Sequence, residues 1–305
     1  MNALARHLIR ELRPVRRPAR VLYMGAAFWT ASALVHLIAL GTDGWAWSGA
    51  VSFRKPLTFS LSIALLMATM GWVLDRLPER PRLAGVIAWT FLVSSTVEVG
   101  LITMQAWRGR ASHFNVMESG DAAVFALMGA MVGLMSLGLV ALLVWSLIER
   151  PADPLVRVAV IGGLVLVTTG LGIGQWIIQL GVEYVGARGA VPETVTFGEA
   201  GVAKFPHAIA FHGIQLFILA AIALRTGSFP DSSKRRMMSL VVVSYTTILL
   251  FASAQTVAGR APTDATLWSL GLALSLAVLA IVIARTARAF DDQAAPELAE
   301  AAKVA

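Results

Sequence analysis

AAVFALMGAMVGLMSLGLVALLVWSL, Ala122 to Leu147, carries no ionisable side chain over 26 residues. A hydrocarbon core roughly 30 Å thick is crossed by about 20 helical residues. This stretch therefore predicts a membrane-spanning helix. Seven more apolar runs of similar length flank it. The eight predicted spans are 21–41, 56–75, 84–106, 122–147, 156–181, 205–225, 237–257 and 266–286. The composition agrees, with 57% hydrophobic and only 14% charged residues in 305. The fold class expected is all-α integral membrane, with eight transmembrane helices.

Charge sets the expected orientation. With the N-terminus in the cytoplasm, Arg54, Lys55, Arg108, Arg110, Arg188, Lys204 and Arg260 fall on the outer side, which is 7 of the 25 Lys and Arg. The other 18 fall inside. Such a bias is the usual orienting signal of membrane chains, and an even helix count returns the C-terminus to the cytoplasm. The net charge of +7 thus reflects helix ends, and no nucleic-acid partner is expected; the partner is the lipid bilayer. The chain has no cysteine, which excludes disulfides and thiolate metal sites. The expected organisation is a basic cytoplasmic segment at 1–20, helical halves at 21–147 and 156–286, and a disordered acidic, alanine-rich tail at 287–305.

A constant offset of 150 residues aligns the halves. Pro56 meets Pro206. Ser94, Thr96, Gln105, Gly109, Arg110 and Ala111 meet Ser244, Thr246, Gln255, Gly259, Arg260 and Ala261. Asp121 and Asp264 correspond after a shorter loop. This predicts a four-plus-four parallel internal repeat, with a pseudo-two-fold axis along the membrane normal.

Polar residues inside apolar spans are costly and tend to mark function. Here His36, Glu98, Gln105, Gln175, Gln179, His207, His212, Gln215 and Gln255 all map to the outer half of the bilayer. Glu98 stands out, since a carboxylate at a helix centre costs about 2.5–3.5 kcal/mol on the insertion scale. Gln105 lies seven residues on, on the same helix face, and Arg108 follows at the membrane edge. His207 and His212 are five residues apart, which turns them about 140° from one another. One metal does not easily take both from one unbroken helix. Gln175 and Gln179 share a face of span five. The connections 107–121 and 182–204 are long enough to cap a site.

The segments FRKPLTFSLS, VEVGLITMQAWRGRASHFN and FPHAIAFHGIQL resemble a family of bacterial multi-spanning membrane proteins without an assigned activity. The matching residues are Lys55, Pro56 and Phe59; Gln105, Arg108, Gly109, Ser112, His113, Phe114 and Asn115; and Pro206, His207, His212 and Gln215. That family often carries an acidic-Leu-Arg run before its Pro-His, where this chain has Val202, Ala203 and Lys204. The resemblance implies a multi-pass protein of the bacterial inner membrane. The candidate polar site from these readings is Glu98, Gln105, Arg108, His113, Asn115, His207, His212 and Gln215, with His36, Lys55, Gln175, Gln179 and Gln255 as secondary candidates. The eight-helix, two-half plan is also similar to haem A synthase. That family places haem histidines in even-numbered spans of both halves, and this chain has none in spans two, four or eight.

Three functions fit these residues. A redox protein would use a transition metal or haem, with Glu98, His113, His207 and His212 as metal ligands. A small-solute transporter or channel would line its path with Glu98 and the glutamines. A sensor or assembly partner would need no catalysis.

Overall fold

The computed structural model describes residues 9–45, 47–192, 200–227 and 229–304, with side chains given as far as Ala287. Among the described residues there are eight long helices: α1 Arg17–Thr42, α2 Arg54–Arg76, α3 Pro81–Trp107, α4 Ser119–Ile148, α5 Pro154–Arg188, α6 Lys204–Thr226, α7 Asp231–Val257 and α8 Leu267–Val304. Each contains a window long and apolar enough to cross a membrane. The chain is a polytopic, all-helical membrane protein, with no strand among the described residues.

Local chemistry sets the helix ends. Proline opens α1, α3 and α5, where its missing N–H costs nothing. Asp153 caps α5, its carboxylate accepting from Leu155 N at 2.8 Å and Val156 N at 3.0 Å. Three helices differ most from the predicted spans, α7 by starting at Asp231 rather than at 237. α5 runs past 181 to Arg188, and Gly189 then ends it in the left-handed region (φ 61°). α8 continues to Val304 through the segment expected to be a disordered tail, in keeping with the high helix propensity of its alanines.

Contacts along the helices fix their directions. Ser32 meets Ser60 at 3.2 Å, while Gly25 packs on Met67 and Gly71 on Tyr23, so α1 and α2 are antiparallel. The same reasoning applies to α3 with α4 and to α5 with α6. α1 and α3 run parallel, because Gly25 faces Leu92 while His36 faces Trp107. The chain therefore passes up and down. One end of the bundle carries Arg16, Arg76, Arg80, Arg225 and their carboxylate partners. The other, termed the far end, carries His36, Gln105, His113, His207 and Gln255.

Each half repeats one packing pattern, with its first helix on its second and third and its fourth on its third. The halves join through α4 on α5 and through a 3.1 Å hydrogen bond between the Thr69 hydroxyl of α2 and the Gln215 amide of α6. Glycines let α5 and α6 approach closely. Gly163 lies against the Ile214 backbone, Gly170 against Phe211 and Gly174 against His207.

Candidate functional site

The helix-end turns after α3 and α7 place the far-end glutamines. Gly109 and Gly259 both take positive φ, 65° and 68°, which only glycine adopts without strain. The chain then folds back so that Arg110 N donates to Gln105 O at 2.9 Å and Arg260 N to Gln255 O at 3.1 Å. Both glutamine side chains are fully buried. Gln105 Nε2 donates to Asp121 Oδ1 at 2.9 Å, and its Oε1 accepts from Arg108 at 2.8 Å. Gln255 Nε2 donates to Ala261 O at 2.7 Å and Asp264 O at 3.0 Å, and its Oε1 accepts from Thr266. Both amides are thus occupied in bracing the helix ends.

In the first half this brace extends to the loop. Asp121 accepts from Arg110 at 2.8 Å and from Asn115 at 2.9 Å. Arg108 and Asn115, expected to face a site, therefore belong with Gln105 to one clasp centred on Asp121. Asp121 and Arg110 recur as Asp264 and Arg260 beside the second glutamine, and that recurrence is the sequence signal for the clasp.

His36 is also fully used. Its Nδ1 lies 2.8 Å from Ser32 O, and Trp107 Nε1 donates to its Nε2 at 3.2 Å. This fixes a neutral ring with the proton on Nδ1. His36 locks α1 to the end of α3, and Trp107 is its unforeseen partner.

The clasp holds His113 and Phe114 inside the bundle. The His113 ring lies among Phe59 of α2, Phe125 of α4 and Phe114, with centroids 5.7, 6.0 and 6.2 Å away. Phe114 sits in the left-handed region (φ 60°), a strained position for a bulky residue. Its ring occupies the space that a side chain at Gly181 would need. The first connection thus plugs the space between α2, α4 and α5.

Two cations approach this plug. Burial first, and then the positive charges of Lys55 and Lys204, hold His113 well below the usual histidine range. His113 is therefore a neutral hydrogen-bonding group, its Nδ1 3.1 Å from Ser112 Oγ. Lys55 opens α2, within electrostatic reach of Lys204 and Arg54. Neither α2 nor α6 has an acidic residue in its first turn, and their N-cap residues Phe53 and Ala203 make no side-chain cap bond, though Ser52 Oγ accepts from Arg54 N at 3.1 Å. A helix N-terminus carries partial positive charge and favours anions. Placing Arg54, Lys55 and Lys204 at two such termini adds like charge to like.

His207 stands beside this group. Its Nδ1 is 2.9 Å from Gly170 O, and a side chain at Gly174 would come within 3.0 Å of its Cε1. The backbone bond gives Nδ1 the proton and leaves Nε2 as an acceptor.

Glu98 is 4% exposed on the buried face of α3. The nearby Ser94 and Ser95 hydroxyls donate to the backbone oxygens of Thr90 and Phe91, so neither serves it. The His212 side chain is exposed, as are Gln175 and Gln179. Gln215 is spent on the junction with Thr69. Of the second connection, residues 193–199 lie outside the described residues. Its end is tied back, Gly201 N donating to Arg260 O at 3.2 Å.

A resident metal needs several ligands at one point. Among the described residues no three His, Asp or Glu side chains come together in that way. Glu98, His113, His207 and His212 thus do not gather as a three-ligand group, and both His36 ring nitrogens are engaged. Comparison with protein-family models, curated proteins and solved structures gave no match to this chain.

Proposed function

We propose that this protein is a carrier for a small organic anion. The observation behind this reading is that Lys55 and Lys204, at the starts of α2 and α6, lie within electrostatic reach of the half-buried His113, which is set among three phenylalanines. The lysines and helix termini supply positive potential. The rings supply an apolar wall. Together they suit a carboxylate or sulfonate with an apolar body better than a bare inorganic ion. His113 and the free Nε2 of His207 would orient the ligand by hydrogen bonds.

The plan of the molecule supports carriage. The matching turns at Gln105 and Gln255, and the matching packing within each half, fit an ancestral four-helix duplication. Carriers with parallel repeats bind solute where the halves meet. Here the halves' second helices open at the anion pocket and are bonded together lower down by Thr69 and Gln215. We assign the arginine-rich end to the cytoplasm from the basic bias, in a bacterial inner membrane, which makes the pocket outward-facing. Buried Glu98 is then the membrane-embedded acid available for coupling.

Uptake of benzenesulfonate into proteoliposomes tests the reading, since lipid alone passes this ion poorly. The wild-type chain should accumulate it above protein-free vesicles, and Lys55→Gln should abolish the difference. Equal uptake by the wild type, Lys55→Gln and empty vesicles would remove the proposal.

A further inference from the structure

At the arginine-rich end a short segment crosses beneath the bundle. Residues 9–12 form a helical turn, and the chain then runs to α1. Asp75, near the end of α2, receives Val15 N at 2.7 Å and Arg16 N at 3.0 Å. The Arg16 guanidinium donates to Leu77 O at 2.7 Å and Leu74 O at 3.2 Å. Trp72 Nε1 donates to Glu11 O at 3.1 Å. Leu12 packs on the main apolar core. This segment is docked by its backbone as well as its side chains.

Glu11 has a special place in it. Its carboxylate pairs with Arg76 of α2 at 2.9 Å and with Arg225 of α6 at 3.4 Å. Arg225 also reaches Asp153, the cap of α5, at 3.0 Å. One side chain outside both halves thus ties the ends of α2 and α6. These are the two helices whose opposite ends carry Lys55 and Lys204. Beneath lies a cleft of about 390 Å³ lined by Glu11, Asp75, Arg76, Asp153, Val156 and Arg225, with Pro151 and Ala152.

We infer that residues 9–16 are a gate latched by Glu11, which closes the arginine-rich end of the junction between the halves. Releasing Glu11 frees Arg76 and Arg225 from their shared anion and lets α2 and α6 part there, opening the cleft. The inference rests on the carrier reading for its purpose, but its geometry can be tested alone. The ion pairs are partly solvated, so each is modest. The backbone bonds to Asp75 add a second, independent hold.

The absence of cysteine makes a single-cysteine reporter clean. Val156 lines the cleft and is 2% exposed, so Val156→Cys in lipid nanodiscs should react slowly with a polar maleimide. Glu11→Gln should raise that rate on the order of tenfold, the effect of about 1.4 kcal/mol on an opening equilibrium. Asp75→Asn should also raise it, through the other hold. A Leu142→Cys reporter, buried in α4, should stay slow in both backgrounds. Unchanged labelling at Val156→Cys in both variants would overturn the gate. So would a parallel rise at Leu142→Cys, which would mean a loosened bundle. Faster labelling at Val156→Cys without benzenesulfonate binding would keep the gate and remove the carrier reading instead.

Discussion

Replacing the glycines of α5 one at a time with alanine should give a graded series set by what each new methyl meets. At Gly172 a Cβ meets nothing within 4 Å. Gly172→Ala should be neutral or stabilising by up to about 1 kcal/mol, the gain in helix propensity. At Gly174 the Cβ would lie 3.0 Å from His207 Cε1 and 3.4 Å from its Nδ1. The ring could yield only by lengthening its 2.9 Å bond to Gly170 O, so a loss of about 1 kcal/mol is expected. At Gly163 the neighbours include Ile214 Cα at 2.9 Å as well as its side chain. Backbone cannot rotate aside, and α5 and α6 must separate along several turns. A loss of about 2–3 kcal/mol or more follows. SDS titration of the detergent-solubilised protein, read by tryptophan fluorescence, would rank the three. Gly174→Ala should also weaken anion binding, whereas Gly172→Ala should not. Equal stability of Gly163→Ala and Gly172→Ala would refute the close α5–α6 approach.

Other perturbations address the far end. Gln105→Leu and Gln255→Leu should each cost about 2–4 kcal/mol in the same titration, since each strands buried polar partners. A benign result at both positions would contradict the braces. Trp107→Phe and His36→Phe should be non-additive when combined, because they share the 3.2 Å bond, and a coupling energy of zero would remove that lock. His113 is held below its unfolded value of about 6.5, so the unfolded state takes up its proton first as pH falls. Stability should therefore decline as pH drops below about 6.5. His113→Asn should lessen that slope, and an unchanged slope would argue against a buried neutral ring.

Hydrophobic run length and basic bias made the eight helices legible, because the bilayer imposes one length and one polarity on every span. The recurrence of Gln, Gly, Arg and Ala after 150 residues likewise pointed to two similar turns. The pairing of side chains was not legible. Periodicity shows that Gln105 and Glu98 share a buried face, yet it does not say what stands opposite. Gln105 meets a clasp built from its own following loop. His36 meets Trp107, whose indole N–H carries no signal in the pattern of polar span residues. The phenylalanines around His113 come from α2, α4 and the loop, and carry no polar signature. Glu11 lies among arginines that read simply as an orienting signal. In each case the missing information was lateral placement between helices, which no single span encodes.

The central claim is that the group around Lys55, Lys204 and His113 binds an organic anion. The most direct measurement is the unfolding midpoint of the purified protein with rising benzenesulfonate, against equal concentrations of sodium sulfate. Binding to the folded state alone adds roughly 2.7 kcal/mol at a hundredfold excess over Kd. The account predicts saturable stabilisation by benzenesulfonate, little by sulfate, and none in Lys55→Gln. Identical curves for the wild type and Lys55→Gln, or no benzenesulfonate effect in the wild type, would contradict it.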